Sequence, residues 1–363
     1  PFPALKHEKM FTFAGKLHIN NFSCIMANVI KIKKGLDINL KGKASDVLLN
    51  GGKSESYAIV PDYYNGILPK VVAKVGEKVK AGSVLMIDKN RPEIKFVSPV
   101  SGEVTAVNRG EKRKVLSIVV KPDAQIEYEE FGKKNVASLQ GAEVKEVLLN
   151  AGMWPFIKQR PYDIVAAPLD TPRDIFVSAF YSAPLAPNFD FIVKGQEADF
   201  QTGLNALAKL TNGKVYVGVR SGSVVSGMKG VEIVEVEGPH PAANVGVQIN
   251  HIKPVNKGEV VWTVNPADVI VIGRLFNKGV ADFSRMVAIT GSETTERGYV
   301  KTISGCTIKS LVNGKVLGQE HIRIISGNVL TGTKVNMDGY LGAYDNQITV
   351  IPEGDETLSL IHI

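Results

Sequence analysis

Cysteine is scarce in this sequence, and long apolar runs are absent from it. Only Cys24 and Cys306 are cysteines among 363 residues. This suits a reducing compartment and excludes a disulfide framework, a zinc ribbon or a Cys₄ iron–sulfur site within the chain. The six histidines are scattered, without the i, i+4 spacing of a helical metal pair. No apolar run approaches the roughly 18 residues of a membrane-spanning helix. We therefore expect no metal site, and contact with a membrane only through partners.

Glycine-rich phosphate loops are missing as well. The sequence contains no G-x-x-x-x-G-K-[ST] motif and no G-x-G-x-x-G motif after a strand. The run DIVAAPLDTPRD (163–174) has prolines where a dinucleotide-binding turn needs glycines. The glycine-rich run 221–230 is irregular and fits a surface loop better than a phosphate cradle. We therefore expect no conventional NAD or FAD site.

The net charge of +7 is concentrated in one segment. Residues 66–122 contain twelve Lys or Arg and five Asp or Glu. Phe96 is the only aromatic residue there, so nucleic-acid binding through base stacking is not expected. The first interpretation is a solvated lysine surface. The alternative is a face turned toward anionic lipid headgroups or an acidic partner subunit.

The apolar residues recur at different spacings along the chain. Residues 66–122 alternate apolar and polar positions, interrupted by Gly76 and Gly82, as short half-buried strands joined by tight turns do. Residues 144–151 have the i, i+3, i+4, i+7 spacing of an amphipathic helix, ended by Gly152. Strands and a helix then alternate, which is typical of a parallel or mixed α/β sheet. The strands are predicted at 163–167, 174–180, 214–219 and 231–237, and the helix at 199–212.

The last part of the chain mixes helices with strands. Asn265 and Pro266 predict the start of a helix that runs to about residue 276. After it, a strand, a short helix and a strand are predicted at 298–305, 306–312 and 321–327. The predicted division of the chain is as follows: 1–25, an upstream extension before a start at Met26; 26–130, a β-sandwich domain; 140–260, an α/β domain; 261–352, a small mixed domain; and 353–363, the beginning of a further portion.

One candidate site is the run EGPHPAANVG, which directly follows the predicted strand 231–237. Open α/β sheets bind ligands at the carboxyl ends of their strands. Pro239 and Pro241 restrict the backbone around His240, while Gly238 lets other groups approach closely. An imidazole held there could hydrogen-bond a carbonyl or phenolic oxygen and exchange a proton near neutral pH. The alternative for this GPHP turn (residues 238–241) is a rigid loop in which His240 only satisfies backbone acceptors.

A second candidate is the segment MWPFIKQRPYD, between the first helix and the first sheet strand. Three aromatic and two basic side chains follow one another closely there: Trp154, Phe156, Tyr162, Lys158 and Arg160. Together they could line a pocket for a flat, partly polar ligand. The alternative is packing at a domain interface. No spacing in the sequence indicates a Ser–His–Asp or Cys–His arrangement, so no catalytic residue is predicted.

Taken in order, several segments resemble the A subunits of bacterial sodium-pumping NADH:quinone reductases. The resemblance covers Met26 to the end of the chain. It is carried by IKIKKGLD (30–37), VAKVGEKVKAGSVLMIDKN (72–90), SPVSGEVTAVNRGEKRKV (98–115), RPYDIVAAPLDTPRDIFVSAF (160–180), SAPLAPNFDF (182–191), EGPHPAANVG (237–246) and WTVNPADVIVIGRLF (262–276).

The resemblance implies an α/β-plus-β fold with three parts. These are a carrier-like β domain (a barrel-sandwich hybrid), a Rossmann-like α/β domain that lacks a nucleotide loop, and a β-grasp-like domain. Because the family continues with a C-terminal helical portion, residues 353–363 would be the start of a truncated one.

The resemblance also implies a peripheral component of a complex, located at the cytoplasmic face of the bacterial inner membrane. The complex passes electrons from NADH through flavins and iron centres in partner subunits to quinone, and it exports Na⁺. This component would carry no cofactor, would be inactive alone and would contact the membrane quinone/flavin subunit. Quinone is its possible substrate, held by Gly238, Pro239, His240 and Pro241 together with Phe156 and Arg160. His240 would donate a hydrogen bond to a quinone oxygen.

Three other functions stay open. A scaffold subunit would bind no ligand and hold the complex together through the basic segment 66–122. A lipoate or biotin carrier is suggested by MIDKNRPEIKFVSPVSG (86–102), which is close to the signature of carrier domains. However, Lys89 lies ten residues before Pro99, against about eight in carriers, so we interpret it as an ordinary surface lysine. A flavin and iron–sulfur electron carrier conflicts with the cysteine count.

Overall fold

The computed structural model describes residues 29–318 and 320–355. Outside the described residues lie the predictions for the extension 1–25 with Cys24, the start at Met26, and residues 356–363. The described strands are β1 Val29–Lys31, β2 Leu48–Leu49, β3 Tyr57–Ile59, β4 Pro69–Val71, β5 Lys78–Val79, β6 Val84–Asp88, β7 Lys95–Val97, β8 Gly102–Arg109, β9 Val115–Pro122, β10 Ile157–Arg160, β11 Ile164–Val165, β12 Ile175–Ser178, β13 Val215–Val219, β14 Glu232–Glu237, β15 Val261–Val264, β16 Ser284–Thr290, β17 Gly298–Ile303, β18 Ile322–Ser326, β19 Thr333–Val335 and β20 Gln347–Pro352. The described α-helices are α1 Gly141–Asn150, α2 Phe189–Val193, α3 Glu197–Ala208, α4 Val245–Ile252, α5 Pro266–Lys278 and α6 Ile308–Val312.

The first unit consists of two small sheets, with strand orders β3-β9-β8-β5 and β4-β6-β7. Neighbouring strands run antiparallel. Because successive side chains of a strand point to opposite faces, the alternating sequence turns one row inward. Leu85, Ile94 and Ile118 are fully buried in this core, and Gly82 takes a φ of 106° in a turn that favours glycine. The strand-and-turn pattern predicted for this segment is confirmed.

The second unit is a seven-stranded sheet with the order β1-β14-β13-β12-β15-β10-β11. Its first five strands are parallel, and β10 and β11 run antiparallel to their neighbours. On one face, Ile175 and Val177 pack into the large core that includes α3 and α5. On the other face, Phe176 packs with Val261 and with Ile249 of α4. The mixed α/β sheet predicted from the sequence is confirmed.

Helices α3 and α5 cross very closely because each has a glycine at the contact. A Cβ atom on Gly273 would lie 1.7 Å from the carbonyl oxygen of Asp199, and one on Gly203 would lie 2.1 Å from that of Val269. Side chains cannot be accommodated at such distances, so the two glycines set the spacing of the helices. Among the described residues, no helix is long and apolar enough to cross a lipid bilayer.

The α/β unit continues past residue 260, where the sequence predicted its end. Strand β15 pairs in parallel with β12 and antiparallel with β10, so it lies inside the seven-stranded sheet. The helix predicted after Asn265 is α5, which packs against α3 of the same unit. Polar and turn-forming residues at 253–259 resemble a linker in sequence, but they form a surface loop between two elements of one sheet.

The third unit is a six-stranded sheet with the order β19-β18-β20-β16-β17-β2. Its own core contains Val287, Ile289 and Val300 from the strands, and Ile308 and Leu311 from α6. Strand β17, helix α6 and strand β18 confirm the predicted strand, helix and strand. Strand β2 comes from the amino-terminal part of the chain and pairs in parallel with β17.

Candidate functional site

The seven-stranded sheet reverses its winding direction between β12 and β15. After β12 the chain adds β13 and then β14 on one side, and it then adds β15 on the opposite side of β12. Connections that leave such a switch point in opposite directions create a crevice at the carboxyl ends of the two strands. In this chain, the crevice lies beyond Ser178 and Val264, the last residues of β12 and β15.

A cleft of about 620 Å³ opens at this crevice. Its walls come from β10, from the loop after β12, from the start of α4 and from the junction of β15 with α5. Tyr344 and Thr331 of the third unit complete it. This volume falls within the range of small-molecule sites in proteins. We call it the switch-point cleft.

Strand β10 presents one of its faces to the switch-point cleft. Phe156 precedes the strand, and Lys158 and Arg160 follow at alternate positions, so all three line the cleft. The Nζ atom of Lys158 lies 4.1 Å from the centre of the Tyr344 ring, a cation–π contact. Lys158 and Arg160 both form ion pairs with Asp163, at 3.4 and 3.3 Å. The Nε atom of Arg160 is buried without a hydrogen-bond partner.

The amino terminus of α4 forms the wall near β12. Asn244, Val245, Gly246 and Val247 all line the cleft. Asn244 makes no side-chain cap, and within the described part of the chain the backbone N–H groups of Val245 and Gly246 have no hydrogen-bond acceptor. A Cβ atom on Gly246 would meet nothing within 4 Å. Both donors belong to residues that line the cleft.

A hydrogen-bonded tyrosine joins the cleft to the third unit. The Tyr181 hydroxyl donates to Asn265 Oδ1 at 2.9 Å and accepts from Asn346 Nδ2 at 3.0 Å. Burial raises the pKa of the Tyr181 hydroxyl above its ordinary value. The phenol therefore stays neutral and serves as a fixed link between two sheets.

Beneath the cleft, the first turn of α5 contributes a buried carboxylate. Asp268 is fully buried and accepts a 2.9 Å hydrogen bond from Arg285 of β16. Burial raises the pKa of Asp268 to about 6, and the positive charges of Arg285 and Lys158 partly oppose this rise. No sequence pattern indicates this pair, because its members belong to different units that only the fold brings together.

The structure places the GPHP turn away from the switch-point cleft. None of its four residues lines the cleft; the turn lies against the amino-terminal segment of the same chain. The N–H of Leu36 donates to the His240 carbonyl at 2.9 Å, and the N–H of His240 donates to Asp37 Oδ1 at 2.8 Å. A Cβ atom on Gly238 would lie 2.2 Å from the Ile32 carbonyl oxygen. The close approach expected of Gly238 is thus made by the protein's own backbone.

The residues predicted to form one site therefore lie in two separate places. Phe156 and Arg160 line the cleft, whereas Gly238, Pro239, His240 and Pro241 hold the segment that extends β1. The His240 ring makes a 3.1 Å hydrogen bond to Ser182, whose Oγ also accepts from the N–H of Ala243, a cleft residue. His240 thus reaches the cleft only through the loop that supports it. The physical reason is topological, since β14 lies two strands away from the switch point.

The aromatic cluster of the second candidate is divided as well. Trp154 is fully buried, donates from Nε1 to the Ala166 carbonyl at 2.8 Å and meets Trp262 edge to face at 5.4 Å. Tyr162 is 78% exposed. Trp154 therefore packs inside the hydrophobic core, and Phe156 is the aromatic residue of the segment that lines the cleft.

The turn that contains Lys89 is held against the α/β unit. Buried Asp88 accepts hydrogen bonds from the N–H groups of Leu68 and Asn90. Arg91 donates to Asp88 and to the carbonyl oxygen of Val165 at 3.1 Å. A carrier lysine sits on a free hairpin tip, whereas this tip is fixed. No group of three or more His, Cys, Asp or Glu suited to a metal ion occurs among residues 29–318 and 320–355.

Three family models match consecutive parts of the chain. They are described as the NqrA N-terminal barrel-sandwich hybrid domain (residues 30–123), the NqrA second alpha/beta domain (139–281) and the NQRA C-terminal domain (286–337). The match over the first unit confirms the predicted barrel-sandwich hybrid. The second match spans six strands of the seven-stranded sheet and helix α5, while β1 (Val29–Lys31) lies outside it.

Among solved structures, the crystal structure of an NAD⁺-reducing [NiFe]-hydrogenase in the H₂-reduced state aligns over 50% of this chain and 41% of its own chain. The TM-score is 0.36 and the identity 12%. At these values the likeness supports no conclusion.

Relatives in several bacteria are all named as the A subunit of Na(+)-translocating NADH-quinone reductase. The protein of Neisseria meningitidis serogroup A is 37% identical over 331 residues, that of Yersinia pestis 36% over 333, and that of Hahella chejuensis 37% over 332. Each alignment covers 90% of this chain and 74% of the relative. The chain therefore belongs to the family of A subunits of the Na⁺-translocating NADH-quinone reductase.

Proposed function

We propose that this chain contributes to the reduction of quinone to quinol by holding a quinone in the switch-point cleft. Its relatives are named as a subunit of an enzyme that joins NADH oxidation, quinone reduction and Na⁺ transport. The observation that carries the proposal is the open cleft of about 620 Å³ at the position where doubly wound sheets bind ligands.

The cleft walls suit a flat ligand with polar oxygens at its edge. Phe156 and Tyr344 supply ring surfaces against which a quinone ring packs. Lys158 and Arg160 supply hydrogen-bond donors but no acceptor, which matches carbonyl oxygens. Donors aimed at an oxygen that gains electron density favour the reduced form over the oxidised one.

In the proposed complex, other subunits supply the redox chain and the ion path. NADH, flavins and iron centres belong to those partners, and this chain binds no cofactor and is inactive alone. It lies at the cytoplasmic face of the inner membrane and contacts the membrane quinone/flavin subunit. The Rossmann-like assignment of the second unit and the β-grasp-like assignment of the third form part of the same proposal.

The test is a calorimetric titration of the full chain with a short-chain quinone. We expect saturable binding in the micromolar range. Phe156→Leu, which removes the ring but keeps an apolar side chain, should weaken binding about tenfold, given the usual contribution of an aromatic contact. His240→Ala should change the affinity less than twofold, because His240 does not line the cleft.

The opposite pattern would favour the GPHP turn, the site that the sequence suggests. If His240→Ala abolishes binding and Phe156→Leu does not, quinone binds at the GPHP turn and not in the cleft. Absence of quinone binding by the full chain would overturn the quinone site on this protein. Until it is measured, a quinone contact for His240 stays a prediction.

The second candidate function is a scaffold that binds no ligand. The observation that favours it is the basic surface of the first unit, where Lys70, Lys74, Lys89 and Lys112 are exposed. Reversing these four charges should weaken assembly with the partner subunits, because charged surfaces steer association. Assembly and turnover that stay normal after charge reversal would count against the scaffold.

A further inference from the structure

The charges that line the switch-point cleft do not balance. Lys158 and Arg160 are its two cationic side chains, and Asp163 is the one carboxylate among the lining residues. Asp163 lies within ion-pair distance of both cations. The lining residues therefore carry a net charge of +1, and Lys158 also interacts with the buried carboxylate of Asp268 beneath them. Lys158 and Arg160 are only 24% and 28% exposed, so water and salt screen this charge less than on an open surface.

The guanidinium group of Arg160 does not use all of its hydrogen-bond donors in this structure. A guanidinium group has five N–H donors and no acceptor. In this structure Nη2 lies 3.3 Å from Asp163 Oδ1, while the buried Nε makes no hydrogen bond. Because Nε is buried, a ligand in the cleft would meet the terminal amino groups of the partly exposed guanidinium rather than Nε. The position of Arg160 in β10 fixes the direction of its side chain. Arg160 and Lys158 lie on the same face of the strand, and both line the cleft. Thr263, the partner of Lys158 on β15, lines it as well.

The wall formed by the amino terminus of α4 adds hydrogen-bond donors and no negatively charged side chain. The free N–H groups of Val245 and Gly246 lie at the start of α4, where the helix dipole places a partial positive charge. Gly246 is itself exposed. The cleft is thus lined by donors on two sides, and an oxygen with a full negative charge satisfies such donors better than a neutral carbonyl does.

We infer that the switch-point cleft selects the ionised form of a quinoid ligand, and that Arg160 is the residue that determines this selectivity. The inference rests on the proposed quinone site and names the charge state that the site prefers. It assigns to Arg160 a role separate from the stacking role of Phe156. A neutral quinone accepts ordinary hydrogen bonds from these donors, whereas an ionised one accepts stronger, charge-assisted hydrogen bonds from Arg160.

Two naphthoquinones of nearly equal shape provide a matched test. 2-Hydroxy-1,4-naphthoquinone is ionised at pH 7.5, and 2-methyl-1,4-naphthoquinone is neutral. Each is titrated into the full chain by calorimetry. The ionised compound should bind about tenfold more tightly, given the usual strength of one charge-assisted hydrogen bond.

Three variants locate the origin of that preference. Arg160→Gln should reduce the ratio of affinities to about one and change the affinity of the neutral compound less than threefold. Arg160→Lys, which keeps the charge but loses the fork of donors, should give an intermediate ratio. Arg113→Gln, in the exposed turn between β8 and β9, is the matched control and should leave the ratio unchanged.

Each other outcome overturns a specific statement. Equal affinities for the two compounds in the unaltered protein overturn the charge selectivity but leave the quinone site standing. A preference that survives Arg160→Gln overturns the assignment to Arg160. Failure of both compounds to bind overturns the quinone site itself. If Arg160→Gln does not fold, as judged by its thermal transition, Arg160→Lys carries the test, and an unchanged ratio in that variant overturns the assignment to Arg160.

Discussion

The switch-point cleft and the GPHP turn both lie at carboxyl ends of parallel strands, yet the residues of the turn do not line the cleft. The cleft follows β12 and β15, between which the sheet changes direction, and it encloses about 620 Å³. The GPHP turn follows β14, and β1 pairs in parallel on the far side of that strand. The chain that continues from β1 then covers the turn through backbone hydrogen bonds.

The difference shows that two strand ends with similar local sequence can have different surroundings in the folded protein. Glycine and proline around His240 are compatible with a ligand site, but here they serve close packing of backbone on backbone. The cleft takes Phe156, Lys158, Arg160 and Asp163 from one segment that the sequence singles out, and its other lining residues come from distant parts of the chain. What distinguishes the two regions is the position of their strands in the sheet, and the experiments below test that distinction.

The largest effect is expected from Asp268→Ala, which removes the buried support of the cleft. Arg285 would keep a buried charge without its partner, and breaking such a pair typically costs about 3–5 kcal/mol in the free energy of unfolding. Urea denaturation measures the loss. Asp62→Ala, which removes an exposed ion pair with Lys114, is the control and should cost less than about 1 kcal/mol. Equal losses in the two variants would mean that the buried pair does not stabilise the fold.

The second effect concerns the packing of the GPHP turn. Gly238→Ala places a Cβ atom 2.2 Å from the Ile32 carbonyl at a φ of 122°, so we expect a loss of about 2–3 kcal/mol in the free energy of unfolding. Gly258→Ala, at a φ of 84° with nothing within 4 Å, should cost less, because it adds strain without a clash. Quinone affinity should stay unchanged in both. A large change in quinone affinity after Gly238→Ala would show that the GPHP turn and the switch-point cleft are energetically coupled.

The third prediction is a pH dependence of stability. Because burial raises the pKa of Asp268 to about 6, the folded protein binds this proton more tightly than the unfolded chain does. Its contribution therefore favours folding at low pH and is lost as the pH rises from about 4 to 6. In Asp268→Asn, the free energy of unfolding should fall less across that window than in the unaltered protein. Parallel pH profiles would contradict the raised pKa.

The pKa of Asp282 is shifted in the opposite direction from that of Asp268. Hydrogen bonding to Lys278 and the charge of Arg274 outweigh burial and lower the pKa of Asp282 to about 2. Its contribution to stability is present above pH 4 and is lost as the pH falls toward 2. Asp282→Asn should flatten the acid limb of the profile and leave the window from pH 4 to 6 unaltered.

The smallest effect is expected from His240→Ala. The variant loses a 3.1 Å hydrogen bond to Ser182 but keeps the backbone bonds of the turn. A loss of about 0.5–1.5 kcal/mol in the free energy of unfolding should follow, which is usual for a single hydrogen bond. Thermal unfolding measures it. A loss as large as that of Gly238→Ala would show that the ring, and not the backbone, holds the amino-terminal segment.

The amino-acid sequence by itself determined many of the local helices and strands, and it showed which motifs the chain lacks. Alternation of apolar residues predicted the strands of the first unit, Asn265 and Pro266 predicted the start of α5, and the lack of a glycine-rich motif excluded a conventional phosphate loop. These features depend on neighbours a few residues apart, which is why a sequence shows them.

Only the tertiary structure decided which strand ends stay open and which charges meet. The pairing of β15 between β12 and β10 extended the α/β unit to residue 278 and created the switch point. The chain after β1 filled the region around His240. Asp268 and Arg285 lie 17 residues apart and in different units, so no local pattern indicates that they pair. Strand order and burial are properties of the whole chain, and they decided where this protein has room for a ligand.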